Sequence, residues 1–222
     1  MSRTPDLLQW WLDIHSRFED CRSPDELFGE TARQVRTLGF DCFVHGRRPR
    51  LPFSQARTRF NGNYPASWRG DLGDGAPLRA GLLFWDRDSD VPGDLRQHGH
   101  ASGATCIQRG GDGAWQLLCV ARRNGALTCA ERVPLKLQLR SLLEALDEHL
   151  QRVQGLPPPI ILSERETQVL RWIADGECSK GIAAILQLSE HTVNFHIKNI
   201  LRKFDSPNRV LAVAHAAALG LI

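Results

Sequence analysis

Apolar positions recur at two different periods along this chain, and the changes of period mark its parts. Leu7, Leu8, Trp10, Trp11, Ile14 and Phe18 fall at helical spacing behind Thr4 and Pro5, a cap and a first-turn proline. Ser23, Pro24 and Glu26 open a second helix as a capping box, and its stripe of Leu27, Phe28, Ala32, Val35 and Leu38 stops at Gly39. Residues 40–45 and 54–60 predict strands, residues 64–83 predict short helices broken by glycine, and residues 104–108 and 115–121 predict a second strand pair joined by the turn at 110–113. Thr128 and Glu131 form another capping box, and the segment to Val153 predicts a long amphipathic helix. Pro134 lies in its first turns, where a proline can move the start of a helix by a few residues. This succession predicts an α+β domain, an α/β/α sandwich of layers.

The pattern then becomes purely helical. Gly155 and the three prolines at 157–159 cannot continue a helix and favour a semi-rigid spacer, so the expected division is a domain over 1–154, a Pro-rich linker over 155–161 and a small all-α domain over 162–222. Ser163 and Glu166 cap the first helix of that last part, and Val169, Leu170, Ile173 and Ala174 form its buried stripe. A short helix over 179–186, a tight turn at Gln187 and Leu188, and a third helix capped by Ser189 follow. Val193, Ile197, Ile200, Leu201 and Phe204 share one face of the third helix, and a fourth runs from about Asn208 to Leu219.

Composition narrows the function classes. The 222 residues are long enough to bury a core, and 42% hydrophobic with 24% charged residues is ordinary for a globular chain. The net charge of +3 excludes a polybasic tail protein, so any nucleic-acid site must be a local patch. Apolar runs such as residues 81–85 are far short of the ~20 residues that span a bilayer, and the start lacks a signal-peptide core. A cytoplasmic location with no membrane partner is expected. Six scattered cysteines without a CxxC pair predict reduced thiols rather than a disulfide or zinc framework. His98 and His100 have no ligand partner at a convincing spacing. The acidic run 86–90 has Val91 where a calcium loop needs glycine and Gln97 where it needs glutamate, so no metal site is predicted. No GxSxG, Walker-type or HExxH pattern occurs, which leaves no catalytic residues to assign and no enzyme reading.

Two helices joined by a tight turn, the second carrying outward polar residues, describe a helix-turn-helix. Between Lys198 and Arg209 four basic residues (Lys198, Arg202, Lys203, Arg209) stand against one acid, Asp205, a local charge of 4 − 1 = +3. A solvated helix face is the alternative on charge alone. The order Leu162, Ser163, Arg165, Glu166, Val169, Leu170, then Gly176, Ile182, Ala183, Leu186, Ser189, Thr192, Val193, His196, Asn199, Ile200, Lys203 and the closing Ala212, Val213, Gly220 and Leu221 strongly resembles the LuxR-type helix-turn-helix of bacterial transcription regulators. The resemblance implies binding to double-stranded DNA. Thr192 and Val193 would begin the recognition helix and Asn194 and Lys198 would read adenine and guanine edges. Thr192, Asn199, Arg202 and Lys203 would bond phosphates. Gly181 departs from the family's acidic residue, and Gln187 from its turn glycine; a non-glycine at positive φ costs about 1 kcal/mol.

The first part resembles, through Asn63, Tyr64, Pro65 and Trp68, the later Phe84 and Trp85 and the glycine-rich turn between strands, the autoinducer-binding domain of quorum-sensing LuxR-type regulators. The resemblance implies that Tyr64, Trp68 and Trp85 face an acyl-homoserine lactone; a plain aromatic core is the alternative for the three. Alignment on Pro77 places Ala76 where the family's aspartate accepts the ligand's amide N–H, and Leu72 where a second tyrosine is common. A buried amide N–H left without its acceptor costs about 1–3 kcal/mol. The expectation is a homodimeric orphan regulator with lost or altered lactone response and no cofactor. The alternatives are an antagonist that forms heterodimers with a related regulator and binds DNA poorly, and an ordinary lactone-dependent activator.

Overall fold

A computed structural model describes residues 7–51, 57–64, 79–86, 99–110, 112–155 and 160–222. The chain divides into two compact units, with the main boundary between Pro157 and Pro158.

Among the described residues the first unit is built on a five-stranded antiparallel sheet of order β2-β1-β5-β4-β3, from β1 (Cys42–Arg48), β2 (Arg59–Gly62), β3 (Gly81–Asp86), β4 (Ser102–Arg109) and β5 (Trp115–Arg122). Three helices, α1 (Leu7–Glu19), α2 (Pro24–Thr37) and α3 (Cys129–Gln154), bury their stripes against one sheet face, where Phe43, Ala104, Cys106, Leu118 and Val120 point. In α1 the stripe is narrower than predicted: Trp10, Ile14 and Phe18 are buried, while Leu7, Leu8 and Trp11 are exposed. The α3 cap forms at Thr128 as expected, and Pro134 sits inside the helix without displacing its start.

Two strand expectations need correction. β2 begins at Arg59 and ends at Gly62, later than predicted, because it is set by its register on β1, Arg47 opposite Arg59 and Val44 opposite Gly62. Gly62 has φ +141°, and a Cβ there would lie 2.3 Å from the Phe43 carbonyl oxygen, so the strand can approach this closely only at glycine. Residues 81–83, expected in a helix, belong to β3. Leu82 and Phe84 face the helices and Trp85 faces the other side, so both faces are apolar and the run shows no alternation. Residues 64, 79 and 80, also expected in helices, are not helical, and the rest of that segment, 65–78, lies outside the described residues, as do Thr4 and Pro5.

Among the described residues the second unit is all-helical: α4 (Glu164–Ala174), α5 (Ser179–Leu186), α6 (Glu190–Lys203) and α7 (Arg209–Leu219). Val169, Leu170, Ile182, Ala183, Val193, Ile200, Phe204, Ala212 and Ala216 form its core. Among the described residues no helix is long and apolar enough to cross a membrane.

Candidate nucleic-acid interface and ligand face

The geometry of α6 follows from its caps and its turn. Ser189 Oγ accepts from the Thr192 N–H at 3.0 Å and also meets the Thr192 hydroxyl at 2.7 Å, fixing the first turn. Before it, Gln187 ends α5 with φ 55° and ψ 45°, the left-handed conformation expected of the turn position, and the Leu188 N–H donates to the Ala183 carbonyl at 2.9 Å. Gly181 lies in the first turn of α5, not in its interior, and its N–H donates to Cys178 Sγ at 3.4 Å. A glycine there weakens the helix less than one in a helix interior.

With Val193 and Ile200 buried, α6 presents Asn194, Phe195, Lys198 and Arg202 outward, all exposed, and leaves Thr192 and Asn199 half-buried. Val193 therefore contributes to the core rather than to the exposed face. Ser179 of α5 donates its hydroxyl to Asn194 Oδ1 at 2.8 Å, orienting the amide while its NH2 stays available. Arg202 Nη2 donates to Asn199 Oδ1 at 3.4 Å. Lys203 is tied inward: its ammonium donates to Glu166 Oε2 at 2.6 Å and to the Ile161 carbonyl at 2.9 Å. Burial works against ionisation of Glu166, but the Lys203 hydrogen bond and the Ser163 donors outweigh it and hold the carboxyl below its usual range. Lys203 thus staples α6 to α4, a pairing 37 residues apart that helical periodicity cannot reveal. Phe195, 56% exposed, was missed, although its position off the apolar stripe was legible.

On the sheet face away from the three helices, Cys42, Val44, Tyr64, Trp85, Leu117, Cys119 and Ala121 form a second apolar cluster. Tyr64 is 5% and Trp85 3% exposed, so these two predicted ligand residues share one face; Trp68, Leu72 and Ala76 lie outside the described residues. Trp85 is paired with Gly103 on β4, where a Cβ would stand 2.2 Å from its Cζ2, so glycine makes room for the indole. His100 is buried, with Nε2 2.9 Å from Cys42 Sγ and its ring 5.3 Å from that of Tyr64. Burial pushes the Cys42 thiol up to about 11 and the Cys119 thiol up to about 12, and raises the Tyr64 phenol as well. The Cys42 and Cys119 thiols and the Tyr64 phenol are therefore neutral at neutral pH. All six cysteines are free thiols, four buried and two exposed.

Comparison with known proteins agrees with this arrangement. Residues 160–216 match the family described as bacterial regulatory proteins, luxR family. The chain is 35% identical to the HTH-type quorum-sensing regulator RhlR of Pseudomonas aeruginosa, over 97% of each chain. It is 30% identical to the regulatory protein SdiA of Escherichia coli, over 98% of each. The crystal structure of E. coli SdiA superposes with a TM-score of 0.69 at 28% identity, covering 98% of this chain and 99% of that one. A structure of SdiA in complex with octanoyl-rac-glycerol superposes with a TM-score of 0.70 at 29% identity, covering 100% and 98%.

Proposed function

Because the chain belongs to the LuxR family of quorum-sensing transcription regulators, we propose that it binds double-stranded DNA as a homodimer through α6, and that its first unit folds without an acyl-homoserine lactone. The observation that carries the DNA reading is the single exposed face of Asn194, Lys198 and Arg202, held by a capped and regular α6. Asn194 and Lys198 project donors suited to adenine and guanine edges in a major groove, and Arg202 lies one turn on, where a phosphate contact sets register. One such helix reads only a few base pairs, so two copies on a two-fold related site supply the remaining specificity.

The ligand reading rests on Ala76, which offers no side-chain acceptor to a lactone's amide, and on the apolar Tyr64–Trp85 face. Octanoyl-rac-glycerol, held by the relative SdiA, is a neutral acyl ester with no amide N–H, and a ligand of that kind needs no carboxylate anchor. Gly181 and Gln187, the two departures from the family pattern, would favour the antagonist alternative if they disrupted the motif; Gly181 lies in the first turn of α5 and Gln187 caps its C-terminus. The test is a gel shift of the full chain on operator DNA at low and moderate salt. A shift that weakens steeply with salt supports the reading; no shift at either salt overturns it in favour of the antagonist.

A further inference from the structure

Spacing along the sequence predicts no metal site, but packing of α1 on α3 assembles one set of ligands. His15 of α1 and Glu148 and His149 of α3 bring donor atoms within 4.8 Å of one another. The tautomer of His149 is dictated by its backbone: Nδ1 lies 2.8 Å from the Ala145 carbonyl, which can only accept, so Nδ1 carries the proton. Nε2 is then the lone-pair nitrogen, and a ring N–H held by a main-chain carbonyl is the arrangement that orients metal-ligating histidines. The ring itself is 4% exposed and confined by Phe18, edge-on at 5.6 Å, with the His15 ring also at 5.6 Å. His15 is half-buried and packs on Trp11 at 4.2 Å between ring centroids.

Glu148 is exposed, and has no ion pair among the described residues. Its i+4 neighbour Arg152, a natural partner, is committed elsewhere: its Nη2 donates to the carbonyls of Phe18, Glu19 and Cys21 at 2.9, 3.2 and 3.3 Å, closing the end of α1 against α3. The carboxylate thus remains available beside two imidazoles.

We propose that His15, Glu148 and His149 form a site for a zinc-type divalent cation that fastens α1 to α3. Two neutral imidazoles and one carboxylate are the donor set that such borderline cations take, with water completing four-coordination. Metal–ligand bonds of about 2.0–2.1 Å require donors about 3.3 Å apart in a tetrahedron. Rotation of the exposed Glu148 and of His15 closes the remaining gap, while His149 stays locked.

The experiment uses the full, untagged chain stripped of metal and titrated with Zn2+ alone, then with Co2+ as a spectroscopic probe. One equivalent of Zn2+ should bind and raise the melting temperature, and Co2+ should develop the visible absorption of a four-coordinate site. His15→Ala and Glu148→Ala alter side chains that are not fully buried, so both variants should fold, and each should lose at least about tenfold in affinity. A double variant, Cys129→Ser with Cys178→Ser, removes the two exposed thiols and should bind as the parent does. Absence of stoichiometric binding overturns the proposal. So does binding unchanged by His15→Ala and Glu148→Ala, or binding lost in the thiol double variant.

Discussion

Gln187 and His45 each hold a single-residue conflict that the rest of the fold tolerates. Gln187 sits at φ 55°, where a side chain costs about 1 kcal/mol and glycine does not. Gln187→Gly should therefore stabilise the second unit by up to about 1 kcal/mol, read as a higher denaturant midpoint; a lower midpoint would mean that the glutamine side chain makes a compensating contact. His45 is 1% exposed, and neither ring nitrogen has a hydrogen-bond partner among the described residues. Burial, assisted by the Arg47 guanidinium, lowers its pKa from 6.5 to about 4. The folded chain thus keeps His45 neutral at a pH where the unfolded chain protonates it. The His45 contribution to stability should fall as pH drops from about 6.5 to about 4, by about 3 kcal/mol, and change no further below. Glu131, held down to about 2 by Arg122 and Thr128, adds its own loss only below its ordinary value of 4.5. His45→Leu should flatten the curve between pH 6.5 and 4.5 without loss at pH 7; an unchanged slope would assign the acid sensitivity elsewhere.

At the scale of the element, α6 divides its basic residues between two tasks. Lys198 and Arg202 are exposed, whereas Lys203 neutralises Glu166, which is 5% exposed. Lys198→Ala should weaken operator binding by about 1–3 kcal/mol and relax preference at one base position. Arg202→Ala should weaken all sequences alike and lower the salt slope by about one unit. Lys203→Met should instead destabilise the second unit by about 1–3 kcal/mol, since it strands a buried carboxylate, and should leave the salt slope nearly unchanged. Fluorescence anisotropy over a salt series, paired with melting curves, separates the three. A Lys203→Met slope reduced as far as that of Arg202→Ala would restore the phosphate role expected from sequence.

For the whole molecule, the question is whether a ligand completes the fold. Binding energy becomes folding energy when a ligand is part of a core. Here Tyr64 and Trp85 are already buried against Cys42, Val44, Leu117 and Cys119, and Ala76 provides no anchoring acceptor. The chain should express and stay folded without a lactone, and a lactone series should move its melting temperature little. Ala76→Asp should partly restore a response. A rise of many degrees with one lactone at micromolar concentration would return the protein to the lactone-dependent class.

The second unit was legible almost entirely from the chain itself. Its caps at Ser163, Ser189 and Asn208, its apolar stripes and even the left-handed turn at Gln187 are local features, decided within a few residues. The two-unit α+β organisation was legible for the same reason, since periods of 2 and 3.6 are written in neighbouring side chains. What depended on packing was not. The extent of β2 came from register on β1 and the close approach at Gly62, and β3 hid because both of its faces are apolar. Lys203 turned inward because Glu166 waits on another helix, and His15 met Glu148 and His149 only when α1 lay on α3. Local spacing sets which element forms and which face is buried; partners more than 100 residues apart, such as His15 and His149, meet only through the tertiary structure.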